Sequence, residues 1–314
     1  MIRIGVDAMG GDFAPDAVVS GAVLALKHLN ADERIVLFGD QQRILEILAR
    51  ENANPTDFDI VHTSEVIEMG DHPSKAFAKK TDSSIGKGFM ALAAGKIDGF
   101  ASAGNTGAMM VGAFMVIKQI PGVIRPGIAG FIPVSDSKLN VILDVGLNPD
   151  CRPDVLYQYG KLGSIYARQV LGIENPRVAL LNIGEEEEKG NLVTKSAYEM
   201  MKGSTDYNFV GNVEGHHLFH DKKTDVVVCD GFVGNVVLKE AEAFYHLLKK
   251  FSPENKFIER FNSENYGGTP VLGVNKPLII AHGASSPVAI MNMIKQTREV
   301  IITNLCEKIK QAFM

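Results

Sequence analysis

Ten short apolar runs, separated by helical patterns along 314 residues, most narrow what this chain can become. They fall at 2–7 (IRIGVD), 34–40 (RIVLFGD), 58–63 (FDIVHT), 98–104 (DGFASAG), 127–133 (GIAGFIP), 140–146 (NVILDVG), 177–184 (RVALLNIG), 207–212 (YNFVGN), 225–231 (DVVVCDG) and 277–283 (PLIIAHG). Several are nearly unbroken Val, Ile and Leu, the pattern of strands covered on both faces. Between them, 16–29 sets Val18, Ala22, Ala25, Leu26 and Leu29 on one helical stripe, 152–171 carries Pro153 in its first turn, and 285–313 closes the chain as a long helical pattern. Alternating strand and helix predicts a largely parallel, right-handed sheet with helices on both faces. Such sheets bind ligands at the C-terminal ends of their strands. No internal repeat and no Pro/Ser-rich linker divides the chain, so the expected organisation is a single domain over 1–314, with 240–265 as a helical and loop excursion.

Composition removes several classes. Hydrophobic residues make up 46% and charged residues 22%, which supports a sizeable core and argues against extended disorder. A net charge of −5 forces no basic face on the molecule, so nucleic acid is not an expected partner. Cys151, Cys229 and Cys306 are too sparse for a disulfide framework or a zinc motif, which fits a reducing cytoplasm. The chain enters a strand with no apolar signal core, and no apolar run approaches the roughly 18 residues of a membrane span. The expected location is cytoplasmic.

Residues after the strands carry the chemistry. The first strand is followed by Asp7, Gly10, Gly11, Asp12 and Pro15, and the fourth by Gly104, Asn105, Thr106 and Gly107. The seventh runs into NIGEEEEKGN, with Gly184 and Lys189, and the ninth into Asp230, Gly231, Gly234, Asn235 and Lys239. The tenth is followed by His282, Gly283, Ser285 and Ser286. Glycines admit a ligand to the backbone, and helix N-termini offer free N–H groups at a positive dipole end, so the common reading is an anion site. Each piece also has a plainer reading. Asn105 and Thr106 before a glycine are ordinary capping chemistry. GFVGNVV has neither the spacing nor the position of a dinucleotide fingerprint. Asn235 among apolar residues is either a cap or a ligand contact, and His282 either a structural or a catalytic histidine. His216, His217 and His220 in EGHHLFH lack an acidic or cysteine partner in a helix-face pattern and read as a surface cluster, so no metal and no cofactor is expected. Lys75, Lys79 and Lys80 form either a solvated helix face or a dock for an acidic partner. Glu185–Glu188 either solvate a loop, or hold Lys189 or a neighbour in place.

In order, DAMGGDFAP, PSKAFAKKTDSS, SAGNTGA, LDVG, NIGEEEEKGN, DGFVGNVVLK, YGG and AHGASS resemble the bacterial acyl-ACP:phosphate acyltransferases of phospholipid synthesis, over essentially the whole chain. The resemblance implies transfer of a long-chain fatty acyl group from acyl-ACP to inorganic phosphate. The acyl phosphate would feed a downstream glycerol-3-phosphate acyltransferase. It also implies a homodimer with peripheral membrane contact. Its fold is similar to the phosphate acetyltransferases and the isocitrate/isopropylmalate dehydrogenases. The expected class is therefore a Rossmann-like α/β/α sandwich with a mostly parallel sheet, isocitrate/isopropylmalate dehydrogenase-like. The family's functional lysine and asparagine map onto Lys189 and Asn235 as catalytic residues. Asp7, Gly10, Gly11, Asn105, Thr106, Gly184, Asp230, Gly234, His282 and Gly283 are the expected substrate-binding set. The chain departs from the pattern at Leu147 and Pro149, and at Phe77–Ala78 where an arginine is usual. It is also short over 239–266, where Phe244, Leu247, Leu248 and Phe251 stand with Lys249, Lys250 and Lys256.

The implied reaction suits these residues. Phosphate is already an anionic nucleophile; it must be desolvated, brought to the thioester and given a donor for the developing oxyanion. Lysine offers a compact charge, so Lys189 is expected to hold phosphate, and Asn235 to polarise the carbonyl or orient the phosphate. With no Ser–His–Asp order and no activated cysteine, direct attack is favoured over an acyl-enzyme. Acyl carrier protein is acidic, and a net-negative enzyme needs a local basic face to dock it. Lys75, Lys79, Lys80 and Lys87, or Lys249, Lys250, Lys256 and Arg260, are the candidates. A coenzyme A-dependent phosphotransacetylase would share the fold and the chemistry but need a nucleotide pocket.

Overall fold

A computed structural model describes residues 1–135, 138–219 and 223–314. The chain forms two compact units, Met1–Gln119 with Ser263–Cys306, and Ile120–Asn262 with Glu307–Met314. The first opens with β1 (Ile2–Asp7), α1 (Asp16–Ala25), β2 (Glu33–Gly39), α2 (Gln41–Arg50), β3 (Phe58–His62), α3 (Pro73–Lys79), α4 (Ser84–Ala93), β4 (Gly99–Ser102) and α5 (Thr106–Gly112). The second holds β5 (Gly127–Pro133), β6 (Leu139–Leu143), α6 (Pro153–Gln169), β7 (Arg177–Asn182), α7 (Leu192–Lys202), β8 (Asn208–Glu214), β9 (Val226–Val228), α8 (Gly231–Phe251) and α9 (Lys256–Glu259). The chain then returns to the first unit with β10 (Thr269–Leu272), β11 (Leu278–Ile280) and α10 (Pro287–Ile302), and ends in α11 (Leu305–Phe313).

Within the first unit the strands run in the order β3-β2-β1-β4-β11-β10. All these neighbours are parallel except β10 with β11. Successive side chains of a strand point to opposite faces, and β4 shows what covers each. A Cβ on Gly99 would meet Thr297 and Ile301 of α10, whereas Gly88 of α4 lies against the ring of Phe100. Helices therefore cover both faces. Phe38, Phe89 and Phe100 meet edge to face in the core, with centroids 5.9 and 5.5 Å apart. The order reverses around β1, with β2 on one side and β4 on the other, and the loops after β1 and β4 meet, Gly10 lying against Gly104.

Within the second unit the order is β5-β6-β9-β7-β8, antiparallel only at β5 with β6. Gly163 lets α6 approach Val226 of β9, and Tyr159 and Tyr166 of α6 are fully buried. At the N-terminal ends of three neighbouring strands, Asp225 accepts from Arg177 Nε at 2.8 Å and pairs with Lys138 Nζ at 2.7 Å. This one carboxylate clasps β7, β9 and the entry to β6. The assignment to an isocitrate/isopropylmalate dehydrogenase-like sandwich does not stand. That assignment came with the family resemblance; apolar periodicity marks strands covered on both faces and does not fix their order or connection.

Candidate active site

In the first unit, parallel pairing sets the ends of β1, β4 and β11 side by side. Asp7 is buried at the end of β1, accepting from Ser102 Oγ at 2.6 Å and Met9 N at 3.1 Å. Burial pushes its carboxyl above the ordinary value, against the pull of those hydrogen bonds. Ser102 Oγ in turn accepts from Gly104 N at 2.9 Å. Gly10 has no room for a Cβ between Asp7 and Gly104, and Asp12 N donates to Gly283 O at 2.7 Å. Asp7, Gly10, Gly11 and Gly283 are thus brought together, with Thr106 and His282 exposed. Asn105 is engaged by the protein. Its Nδ2 lies 3.0–3.2 Å from the carbonyls of Glu68, Met69 and Asp71, and its Oδ1 caps α5 through Ala108 N.

In the second unit, the loops after the parallel neighbours β6 and β9 pack together. Asp144 is buried and accepts from the backbone N–H of Ile128, Leu147 and Asn148 at 3.0, 3.2 and 2.6 Å. Burial still holds its carboxyl above the ordinary value. Asn148 donates to Pro126 O at 2.8 Å and Tyr159 Oη at 2.7 Å, and Gly231 N donates to Asn148 O at 2.8 Å. Asp230 caps α8 by accepting from Val233 N at 2.8 Å. Gly234 lies against the carbonyl of Asp144 with no space for a side chain. One turn into α8, Asn235 is exposed and donates from Nδ2 to Val145 O at 3.1 Å, leaving its second N–H available.

The loop after β7, a direct neighbour of β9, carries Lys189. Two of its four glutamates have other partners. Glu187 pairs with Lys202 at 2.6 Å; Glu185 pairs with Lys223 and lies 3.0 Å from His217 Nδ1. Lys189 is exposed, and among the described residues its Nζ forms no ion pair or hydrogen bond. Its stem lies over buried Gly184, where a Cβ would come within 2.7 Å of Lys189 Cγ. Asn191 caps α7 just beyond.

Several residues here escaped the sequence reading. A cleft of about 410 Å3 is lined by Arg125, Asn148, Asp150, Cys151 and Arg152 among others. Arg125 Nη1 donates to Asp150 O at 3.1 Å, and Arg152 pairs with Asp154 at 2.7 Å. The only sequence signal was the departure at Leu147 and Pro149. Burial first and the charge of Asp144 second push the Cys151 thiol up to about 11, the opposite of an activated cysteine. Buried Cys229 is raised further, by burial above all. The rings of His216 and His217 lie against one another at a tilt of 42°, and His220 lies outside the described residues. Lys80 and Lys87 are paired with Asp71 and Asp82, both at 2.6 Å. Lys75 and Lys79 are exposed on α3 without an ion pair among the described residues. Lys249 pairs with Glu259, and Arg260 reaches Lys138 O at 3.4 Å. No helix of the described residues is long and apolar enough to cross a membrane.

The fatty acid synthesis protein family matches residues 2–308. The chain is 39% identical to the phosphate acyltransferase of Dictyoglomus turgidum, covering 98% of this chain and 96% of that protein. It is 42% identical to that of Pelotomaculum thermopropionicum, covering 99% and 95%. Among solved structures it is similar to a phosphotransacetylase from Streptococcus pyogenes, with a TM-score of 0.67 and 17% identity over 95% of this chain and 94% of that one. A branched-chain phosphotransacylase from Enterococcus faecalis gives a TM-score of 0.66 and 14% identity over 96% and 99%. At these identities the likeness concerns the fold alone. It corrects the expected isocitrate/isopropylmalate dehydrogenase-like sandwich to the phosphotransacetylase fold.

Proposed function

This chain belongs to the phosphate acyltransferases, and from that membership we propose how its own residues carry out the transfer. It is an enzyme of lipid synthesis that moves an acyl group onto phosphate and releases an acyl phosphate. The donor is long-chain acyl-ACP. Lys189 carries the reading: an ammonium with no ion pair among the described residues, on a loop where Glu185 and Glu187 are already engaged elsewhere. An anion brought to this loop meets a positive charge that it need not win from a glutamate. Lys189 holds inorganic phosphate there. A phosphate oxygen attacks the thioester carbonyl carbon, and the C–S bond breaks. The carrier thiolate leaves and takes a proton. Asn235, fixed by its hydrogen bond to Val145 O, offers its second N–H to the carbonyl oxygen as negative charge develops. Direct attack agrees with the protonated Cys151 thiol.

Further parts of the proposal rest on individual surfaces. The glycine turn at Gly10–Gly11, with Gly283 beside it and Thr106 and His282 exposed, contacts substrate. Asp7 supports that turn from beneath, and Gly184, Asp230 and Gly234 shape the loops that present Lys189 and Asn235. Exposed Phe244, Leu247, Leu248 and Phe251 of α8, with Lys250 nearby in sequence, support peripheral membrane contact. A homodimer, and delivery of product to a glycerol-3-phosphate acyltransferase, complete the proposal. The test is kinetic. Lys189→Ala and Asn235→Ala should each lower kcat/KM about 10²–10³-fold, with Lys189→Ala also raising KM for phosphate. A Lys189→Ala enzyme with unchanged kcat and unchanged KM for phosphate would remove Lys189 from the site.

A further inference from the structure

β8 lies at the edge of its strand order and pairs with β7 in parallel register, Asn182 opposite Glu214. The loop 183–190 and the turn 215–217 therefore leave the strands side by side. This adds Glu185, distant in sequence, to Glu214, which stands two residues before His216. Glu214 Oε2 lies 3.2 Å from His216 Nδ1, and Glu185 Oε1 lies 3.0 Å from His217 Nδ1. The two imidazole rings lie close and tilted, with centroids 3.7 Å apart and planes at 42°. One donor atom from each of Glu214, His216 and His217 falls within 4.8 Å of the others.

We propose that Glu214, His216 and His217, with Glu185 as a fourth ligand, form a site for a divalent transition-metal ion of the Zn²⁺, Co²⁺ and Ni²⁺ class. Ligand bonds of about 2.0–2.1 Å at tetrahedral angles put donor atoms about 3.4 Å apart. Two of the separations already lie close to that value, and rotation of Glu185, Glu214 and exposed His216 about the less exposed His217 closes the rest. Imidazole with carboxylate suits zinc and its neighbours, whereas magnesium and calcium favour an all-oxygen set. The two carboxylates also offset the charge of the ion. Lys223 is the competitor, since its ammonium pairs with Glu185. Glu185 and Lys189 share one short loop, so occupancy would tie the Lys189 loop to the edge strand.

Cobalt is a direct probe, because four-coordinate Co²⁺ absorbs in the visible. Tag-free, full-length protein titrated with Co²⁺ should develop a saturable band at one ion per chain, displaced by Zn²⁺. The double variant His216→Ala/His217→Ala should bind at least about 100-fold more weakly. Glu214→Gln, a near-isosteric surface change, should weaken binding about tenfold and serves if the double variant does not fold. Lys223→Met should tighten binding severalfold by freeing Glu185. Absence of a saturable band, or a band unchanged by Glu214→Gln and by the histidine variants, would overturn the site. Unchanged affinity in Lys223→Met would overturn the part given to Glu185. None of these readouts depends on acyl transfer, so the result stands apart from the catalytic reading.

Discussion

At Gly184 a Cβ would stand 2.7 Å from Lys189 Cγ and 3.0 Å from a carboxylate oxygen of Glu186. Both neighbours are movable side chains, so Gly184→Ala should leave folding nearly untouched, within about 0.5 kcal/mol. It should displace the lysine stem and lower kcat/KM roughly 10–100-fold. Thermal melts beside kinetics separate the two effects, and an unfolded variant would count against this placement. Gly190 is different, because it has φ +97 and is crowded by Asn182 and Thr194. Gly190→Ala should cost stability as well as activity. Lys189 was legible in the sequence as one cation after four carboxylates within a familiar order of motifs. The partners of those carboxylates were not, because Lys202, Lys223 and His217 come from α7 and the far side of β8. Asn105 shows the opposite limit. Its motif suggests ligand or cap equally, and only the three carbonyls around its amide show how fully the protein engages it.

Elements respond through their ends. The first turn of α8 fits against the β6 loop only because Gly234 lacks a side chain. The obstacle to a Cβ there is the backbone of Asp144, which cannot swing aside as a lysine can. Gly234→Ala should therefore destabilise by about 1–3 kcal/mol, read by denaturant unfolding, and should misplace Asn235. The Asp225 clasp makes a pH prediction. Burial raises its pKa, but Arg177 and then Lys138 outweigh this and draw it from 3.8 down to about 2. A depressed carboxyl contributes stability above its unfolded value and loses it as pH falls toward the folded one. Melting temperature should thus fall between about pH 4 and pH 2, and Asp225→Asn should flatten that slope while lowering stability at neutral pH. Some element boundaries were legible and others not. The helical pattern at 285–313 is interrupted because Asn304 adopts φ 53, separating α10 from α11. β10 escaped notice because it is four residues long and contains Pro270, which suits a strand short of ladder bonds.

For the molecule as a whole, the order of motifs carried the family and the reaction. Each motif is weak, but eight in one sequence order are not. The type of fold was less legible, since strands buried on both faces look alike whatever their order. The division into two units leaves no trace in composition, because each is assembled from segments far apart in the chain and no linker marks the crossings at 119–120, 262–263 and 306–307. The basic surface was legible only in part. Of the four lysines read near α3, Lys80 and Lys87 are paired, leaving Lys75 and Lys79 exposed without an ion pair among the described residues. If they dock the acidic carrier, KM for acyl-ACP should rise with ionic strength while kcat changes little. Lys75→Glu/Lys79→Glu should then raise KM and flatten that salt dependence, and a salt-independent KM in the parent enzyme would count against docking by charge. The measurement that bears most directly on the account is single-turnover reaction of the pure enzyme with palmitoyl-ACP, with and without inorganic phosphate, followed by hydroxylamine trapping. Direct attack requires that free carrier protein and trapped acyl group form together, and only when phosphate is present. A burst of free carrier protein without phosphate, one per enzyme chain, would reveal an acyl-enzyme and contradict it.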